Sequence, residues 1–186
     1  MKYIFSLIIL IITLSGCQKD SIKKSFDCNT TTNYANTEEV QGILNHFKIE
    51  IPSNWKSELY FDKTQSRFYS ADTTRELTET YIIDVTWHQG EIQFNNDFDV
   101  LVMNDLKQNQ QLIPIKSGFG DFRDIPAYYN LSKGMHSDFE YHFFQIFLKT
   151  SVDEYFTLTT KVYGTEFVDE RICASISLFE NITFLE

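Results

Sequence analysis

A chain of 186 residues carrying 26 acidic against 16 basic side chains, a formal net charge of −10, repels the phosphate backbone, which sets nucleic-acid binding aside. Seventeen Phe and ten Tyr against three Pro and seven Gly exclude a disordered stalk and argue for extensive β structure. The length fits one domain with a single core, able to bury roughly 70% of the surface its unfolded chain exposes.

The first element is a leader. Lys2 supplies a positive start, Tyr3 to Thr13 an apolar stretch rich in isoleucine, and Ser15-Gly16 the small residues a signal peptidase needs. The stretch is short of the ~20 apolar residues that span a bilayer. Leu14-Ser15-Gly16-Cys17 resembles the lipobox of bacterial lipoproteins. That resemblance implies removal of residues 1–16, a diacylglycerol on the Cys17 thiol and acylation, as by palmitate, of the new amino terminus. The mature chain would then have 15 basic against 26 acidic residues, a net charge of −11, and be anchored through its lipid to a membrane of the bacterial cell envelope, on the periplasmic or the surface face. Residues 17–40 are polar and read as a flexible tether, and residues 41–186 as a single α/β domain. Outside the cytoplasm disulfides persist, so Cys28 and Cys173 are a candidate bridge. Spacing alone does not show proximity, and the plainer expectation is two unpaired thiols, one in the tether and one buried on a helix.

In the domain, Phe47, Ile49 and Ile51 alternate with polar residues as a half-buried strand ended by Pro52, and Trp55 folds back as a core plug. Leu59 to Ser70 offers one or two short strands. Leu77, Tyr81, Ile83, Val85 and Trp87 share one face of an amphipathic strand, with Thr78, Thr80, Asp84 and Thr86 opposite. The period then changes. Asn95 or Asn96 caps a helix with Asp97 and Asp99 in its first turn and an apolar stripe of Phe98, Leu101, Val102 and Leu106, which stops near Asn109. Ile113 and Ile115 begin a strand turned by Gly118-Phe119-Gly120, and Pro126 to Leu131 begins its hairpin partner. From Phe139 to Leu148 both alternating sets are apolar, so that strand is buried on both faces. Tyr155 to Tyr163 returns antiparallel, and Thr165 caps a last helix with Val168, Ile172, Ile176 and Phe179 on one stripe before Ile182 and Phe184 close the chain. The expected fold is α+β: an antiparallel sheet of about six strands with helices packed on both faces.

The chemistry-bearing residues do not form a familiar frame. No Gly-x-Ser-x-Gly elbow, phosphate loop or His-Glu-x-x-His is present. The nearest set of metal-ligating types is Asp84 with His88 on one face of a strand, joined by His142, but strand residues four apart stand ~13 Å from each other and need a third element to converge. No cofactor is expected. The pairs Glu38-Glu39 and Asp169-Glu170 read as solvated faces rather than an acid and base across a cleft. Tyr34, Tyr60 and the Tyr128-Tyr129 pair could stack on a sugar or a partner, although aromatic residues in strands are first of all sheet formers.

Phe47-x-Ile49-x-Ile51-Pro52-x-x-Trp55 near the start, and Tyr155-Phe156-x-Leu158, Gly164 and a closing helix near the end, resemble the PsbP-like fold over Phe47 to Phe184. Members of that fold include the extrinsic PsbP proteins of photosystem II, a small Ran-binding import factor and bacterial adaptors that chaperone secreted toxins. The resemblance implies an α/β/α sandwich and a non-catalytic role in binding other macromolecules, with no member's binding residues mapped onto this chain. The expectation is therefore a lipid-anchored, non-catalytic envelope module that docks a protein partner during assembly, secretion or protection. The alternative is an envelope enzyme or small-ligand carrier whose site is formed by strands distant in sequence.

Overall fold

The computed structural model of the chain describes residues 21–29 and 32–185. The leader 1–16 and Cys17 lie outside them. In chain order the elements are α1 (Ile22–Ser25), β1 (Thr37–Gln41), β2 (Phe47–Pro52), β3 (Lys56–Phe61), β4 (Gln65–Ala71), β5 (Tyr81–Gln89), α2 (Asn96–Gln108), β6 (Ile113–Phe122), β7 (Ile125–His136), β8 (Phe139–Lys149), β9 (Glu154–Tyr163), α3 (Val168–Phe179) and β10 (Ile182–Phe184). The large sheet has seven strands in the order β3-β4-β5-β9-β8-β7-β6, every neighbour antiparallel, and β1, β2 and β10 form a second sheet of three. The architecture is α+β, as the periodicities predict, but the single six-stranded sheet resolves into seven strands and three. Among the described residues no helix is long and apolar enough to cross a membrane.

Strand parity assigns the two faces of the large sheet. Ile83, Val85, Phe144, Ile146 and Leu158 point to a core face, where they cluster with Phe47, Ile49 and Ile51 of the small sheet and with Ile172, Ile176 and Phe179 of α3. This is the main core. On the other face α2 lays Val102 and Leu106 against Tyr128 and Phe143 in a second cluster. Phe98 of that helix meets Tyr128 and Phe147 edge-on, with ring centroids 5.2 and 5.3 Å away. The double burial expected of β8 follows, since Phe143 and Phe144 enter different clusters. One face is thus backed by a helix and a small sheet together, and the other by a helix over part of its width.

Four local expectations are corrected. Within the segment expected as a flexible tether, 17–40, described residues are packed on the domain. Ile22 is 1% exposed, Phe26 packs edge-on against Tyr129 and Phe144, and Thr37–Gln41 pairs with β2. Ile22 and Phe26 lie one helical turn apart, a run too brief for its period to stand out among Lys, Ser and Asp. The thiols of Cys28 and Cys173 are not free but joined, with Cα atoms 5.3 Å apart, so the docked segment is stapled to α3. Gly118-Phe119-Gly120 does not turn the chain. β6 runs on to Phe122, and the hairpin turns at Arg123 and Asp124, whose φ values of 52° and 64° match the twist of the flanking strands. Gly118 is instead required by closeness, since a Cβ there would stand 2.8 Å from the Tyr129 hydroxyl oxygen. Finally, Thr165 does not cap α3. The helix opens at Phe167, φ 51°, with no side-chain cap, and buried Arg171 organises the junction. Its Nη1 donates to the carbonyls of Thr78, Thr80 and Tyr163 at 2.8, 2.9 and 3.0 Å.

A candidate binding face

Because α2 backs only β6, β7 and β8, the same face of β3, β4, β5 and β9 carries no helix among the described residues. Cross-strand register sets Tyr69, Asp84 and Thr159 in one row and Arg67, Thr86 and Thr157 in the next, all on this face. Its middle is built of small side chains. Asp84, Thr86, Thr157 and Thr159 are only 5–8% exposed, because taller neighbours stand around them, so the face is a shallow trough with a polar floor.

Three of these four floor groups, Asp84, Thr86 and Thr157, are fixed by side-chain hydrogen bonds. Arg67 Nε donates to Asp84 Oδ2 at 2.8 Å, its Nη2 reaches the same oxygen, and the Thr86 hydroxyl donates to Asp84 Oδ1 at 2.8 Å. The Arg67 guanidinium lies over the Tyr69 ring, 4.3 Å from its centroid, and Tyr60 meets Tyr69 edge-on at 5.9 Å. Tyr60 donates its hydroxyl proton to Glu58. At the far end His88 stacks on Tyr155 with centroids 4.5 Å apart, while Gln65 Nε2 lies 3.1 Å from its Nδ1 and the Thr157 hydroxyl 3.0 Å from its Nε2. Burial, reinforced by the positive charge of Arg67, lowers the His88 pKa to about 4, so the ring is neutral at ordinary pH. Between β3 and β4 the wall opens into a concavity of about 570 Å³ lined by Glu58, Tyr60, Phe61, Gln65, Arg67 and Tyr69.

The candidate residues named from sequence disperse. Asp84 and His88 share the trough, but Asp84 is committed to Arg67 and His88 to Gln65 and Thr157. His142 pairs in register with Val162 on the core face, so a period of two places it on the opposite side of the sheet. No group of three His, Cys, Asp or Glu able to hold a metal occurs among the described residues. Tyr128 and Tyr129 point to opposite faces and are both buried, and the Tyr34 hydroxyl lies 2.5 Å from that of Tyr81. Of the named aromatics only Tyr60 faces the trough. Arg67, Tyr69 and Tyr155 had no sequence signal beyond alternation, because what gathers them is pairing between strands distant in sequence, as with Tyr81 and Val162.

No protein-family model and no curated protein matches the sequence. Solved structures do match. A cyanobacterial PsbP protein, CyanoP of Synechocystis, superposes with a TM-score of 0.61 at 10% identity, over 83% of this chain and 95% of its own. The fold is PsbP-like. The Ran-binding protein Mog1p of Saccharomyces cerevisiae is similar in the same sense, with a TM-score of 0.55 at 8% identity, over 81% of this chain and 96% of its own. At these identities the likeness is one of backbone architecture, and a PsbP-like fold by itself assigns no site.

Proposed function

We propose that the chain is a lipid-anchored, non-catalytic module of the bacterial cell envelope that docks a protein partner on the trough formed by β3, β4, β5 and β9. The observation that carries this reading is the floor itself. Arg67, Asp84 and Thr86 form one hydrogen-bonded set and Thr157 and His88 another before any partner arrives, which gives a pre-organised polar surface rimmed by Tyr60, Tyr69 and Tyr155. Tyrosine and arginine on a rigid frame are the side chains that dominate protein interfaces. The lipobox-like Leu14-Ser15-Gly16-Cys17 supports the anchor, and the Ran-binding protein of the same fold supports a role in binding protein.

A small-ligand carrier would use the concavity beside Tyr60. Its volume suits a ligand, but Tyr60 and Phe61 are 52% and 61% exposed, whereas small-molecule sites bury most of the ligand. The shape therefore favours a macromolecular surface. The test is co-purification of the full chain from detergent-solubilised membranes, compared with a Tyr60→Ala/Arg67→Ala/Tyr69→Ala variant. A stoichiometric protein recovered with the parent chain and lost from the variant is expected. Equal recovery by both, or recovery of the chain alone, overturns the reading. The anchor is tested separately, since Cys17→Ala should move the chain out of the membrane fraction.

A further inference from the structure

The trough ends at β3, the outermost strand of the large sheet, and among the described residues this edge is bare. All of β3 but Ser57 is exposed, its pairing with β4 runs from Lys56 to Phe61 without a register shift, and it contains no proline. The direction of its unpaired backbone groups follows from the hairpin. Asp62 N–H donates to the Gln65 carbonyl at 3.0 Å, and bonded and non-bonded pairs alternate along an antiparallel ladder. Tyr60, Glu58 and Lys56 therefore bond inward to β4, while Ser57, Leu59 and Phe61 turn their N–H and C=O groups outward.

We infer that β3 is a homodimerisation edge, pairing antiparallel with β3 of a second copy about a two-fold axis at Leu59. Such an axis stands perpendicular to the sheet, so residues that meet across it must share a face. With Leu59 opposite Leu59, Ser57 faces Phe61 and the outward backbone groups of all three residues bond across the axis. Lys56 then faces Asp62 of the second copy, twice by symmetry, and Glu58 faces Tyr60. Moving the axis to Glu58 sets two carboxylates against each other, and moving it to Tyr60 sets Glu58 against Asp62. Like charges directly opposite are destabilising, so charge disfavours both neighbouring registers, while an axis at Ser57 or Phe61 would leave fewer residues of Lys56–Phe61 paired than one at Leu59. The exposed Leu59 side chains, on the opposite face from Tyr60, meet in an apolar contact at the axis. The pairing leaves both troughs on the same side of a continuous sheet and does not depend on what binds them.

The experiment uses the full chain carrying Cys17→Ala, so that Cys28 and Cys173, already joined, are the only other cysteines. Leu59→Cys is compared with Ser57→Cys under a short bismaleimide, with mass determined by sedimentation. The two Leu59 positions meet at ~5.5 Å, whereas the two Ser57 positions are offset by four residues, ~13 Å, so roughly tenfold more linked dimer is expected from Leu59→Cys. Adding Lys56→Glu should cut that yield by setting a carboxylate against Asp62. Equal linking at the two positions, a yield unmoved by Lys56→Glu, or a parent chain that sediments as a monomer at its highest soluble concentration overturns the inference. Leu59 is exposed, so these substitutions leave the fold intact, and circular dichroism verifies it.

Discussion

The two edges of the large sheet have been treated in opposite ways by the same sequence. At β6 the chain places Pro114, shifts register between Pro114 and Lys116, and lays the segment around α1 alongside, with Ser21 bridging Asp121. Lys116 donates to the Ser25 carbonyl and holds its ammonium 4.8 Å over the Phe26 ring. Proline, a bulge and a covering segment are all devices that stop a strand from pairing with a stranger. At β3 none of them occurs among the described residues. The difference teaches that the edge next to the polar segment is closed by that segment, while the edge next to the trough is left able to pair.

The largest effect expected from breaking the comparison is loss of the staple. The Cys28–Cys173 bond closes a loop with a sequence separation of 145, and on the chain-entropy model a Cys28→Ser/Cys173→Ser pair should cost ~5 kcal/mol of stability. Guanidinium unfolding with and without reductant measures it, and hydrogen exchange should rise first in β6, whose cover the bond retains. Unchanged β6 protection in the variant would mean that the segment is held by its side chains alone. Next in size is a matched truncation at each edge. Ile22→Ala, in a residue 1% exposed, should cost ~3 kcal/mol, whereas Leu59→Ala, in a residue 37% exposed, should stay within ~0.5 kcal/mol for the monomer. Comparable losses at the two positions would erase the distinction between a covered and a bare edge.

This contrast also marks what the sequence makes legible. β2, β5, β8 and β9 are long enough for a period of two to separate their faces, and α2 and α3 for a period near 3.6, so fold class and most elements can be read directly. α1 offers a single turn, so Ile22 and Phe26 pass for scattered apolar residues in a tether. The hairpin turn at Arg123 and Asp124 is hidden because neither residue announces a left-handed backbone, while Gly118, which does, stands in a strand against the Tyr129 ring instead. The site is the least legible part. Asp84 with His88 is a correct pairing by face, but His142 could be excluded only once its register with Val162 was fixed, and the partnership of Arg67 with Asp84 depends on the β4–β5 pairing.

Smaller effects sharpen the account of the two halves of the trough-bearing face. The Asn95 side chain accepts from the Phe98 N–H at 2.9 Å and so caps the helix that covers β6 to β8, and Asn95→Ala should lower thermal stability by ~1 kcal/mol without altering the trough. In the uncovered half, His88 supplies a pH signature. Burial, helped by Arg67, holds its pKa at about 4 in the folded chain against 6.5 in the unfolded one. Between those values the unfolded chain takes up a proton that the native chain refuses, so stability contributed here is complete above pH 6.5 and falls as pH drops toward 4. His88→Gln should flatten that part of the stability profile. A proton NMR titration of the ring reads the same quantity directly, and a midpoint near 6.5 would show that His88 is solvated and that the floor between Gln65 and Thr157 is not closed around it.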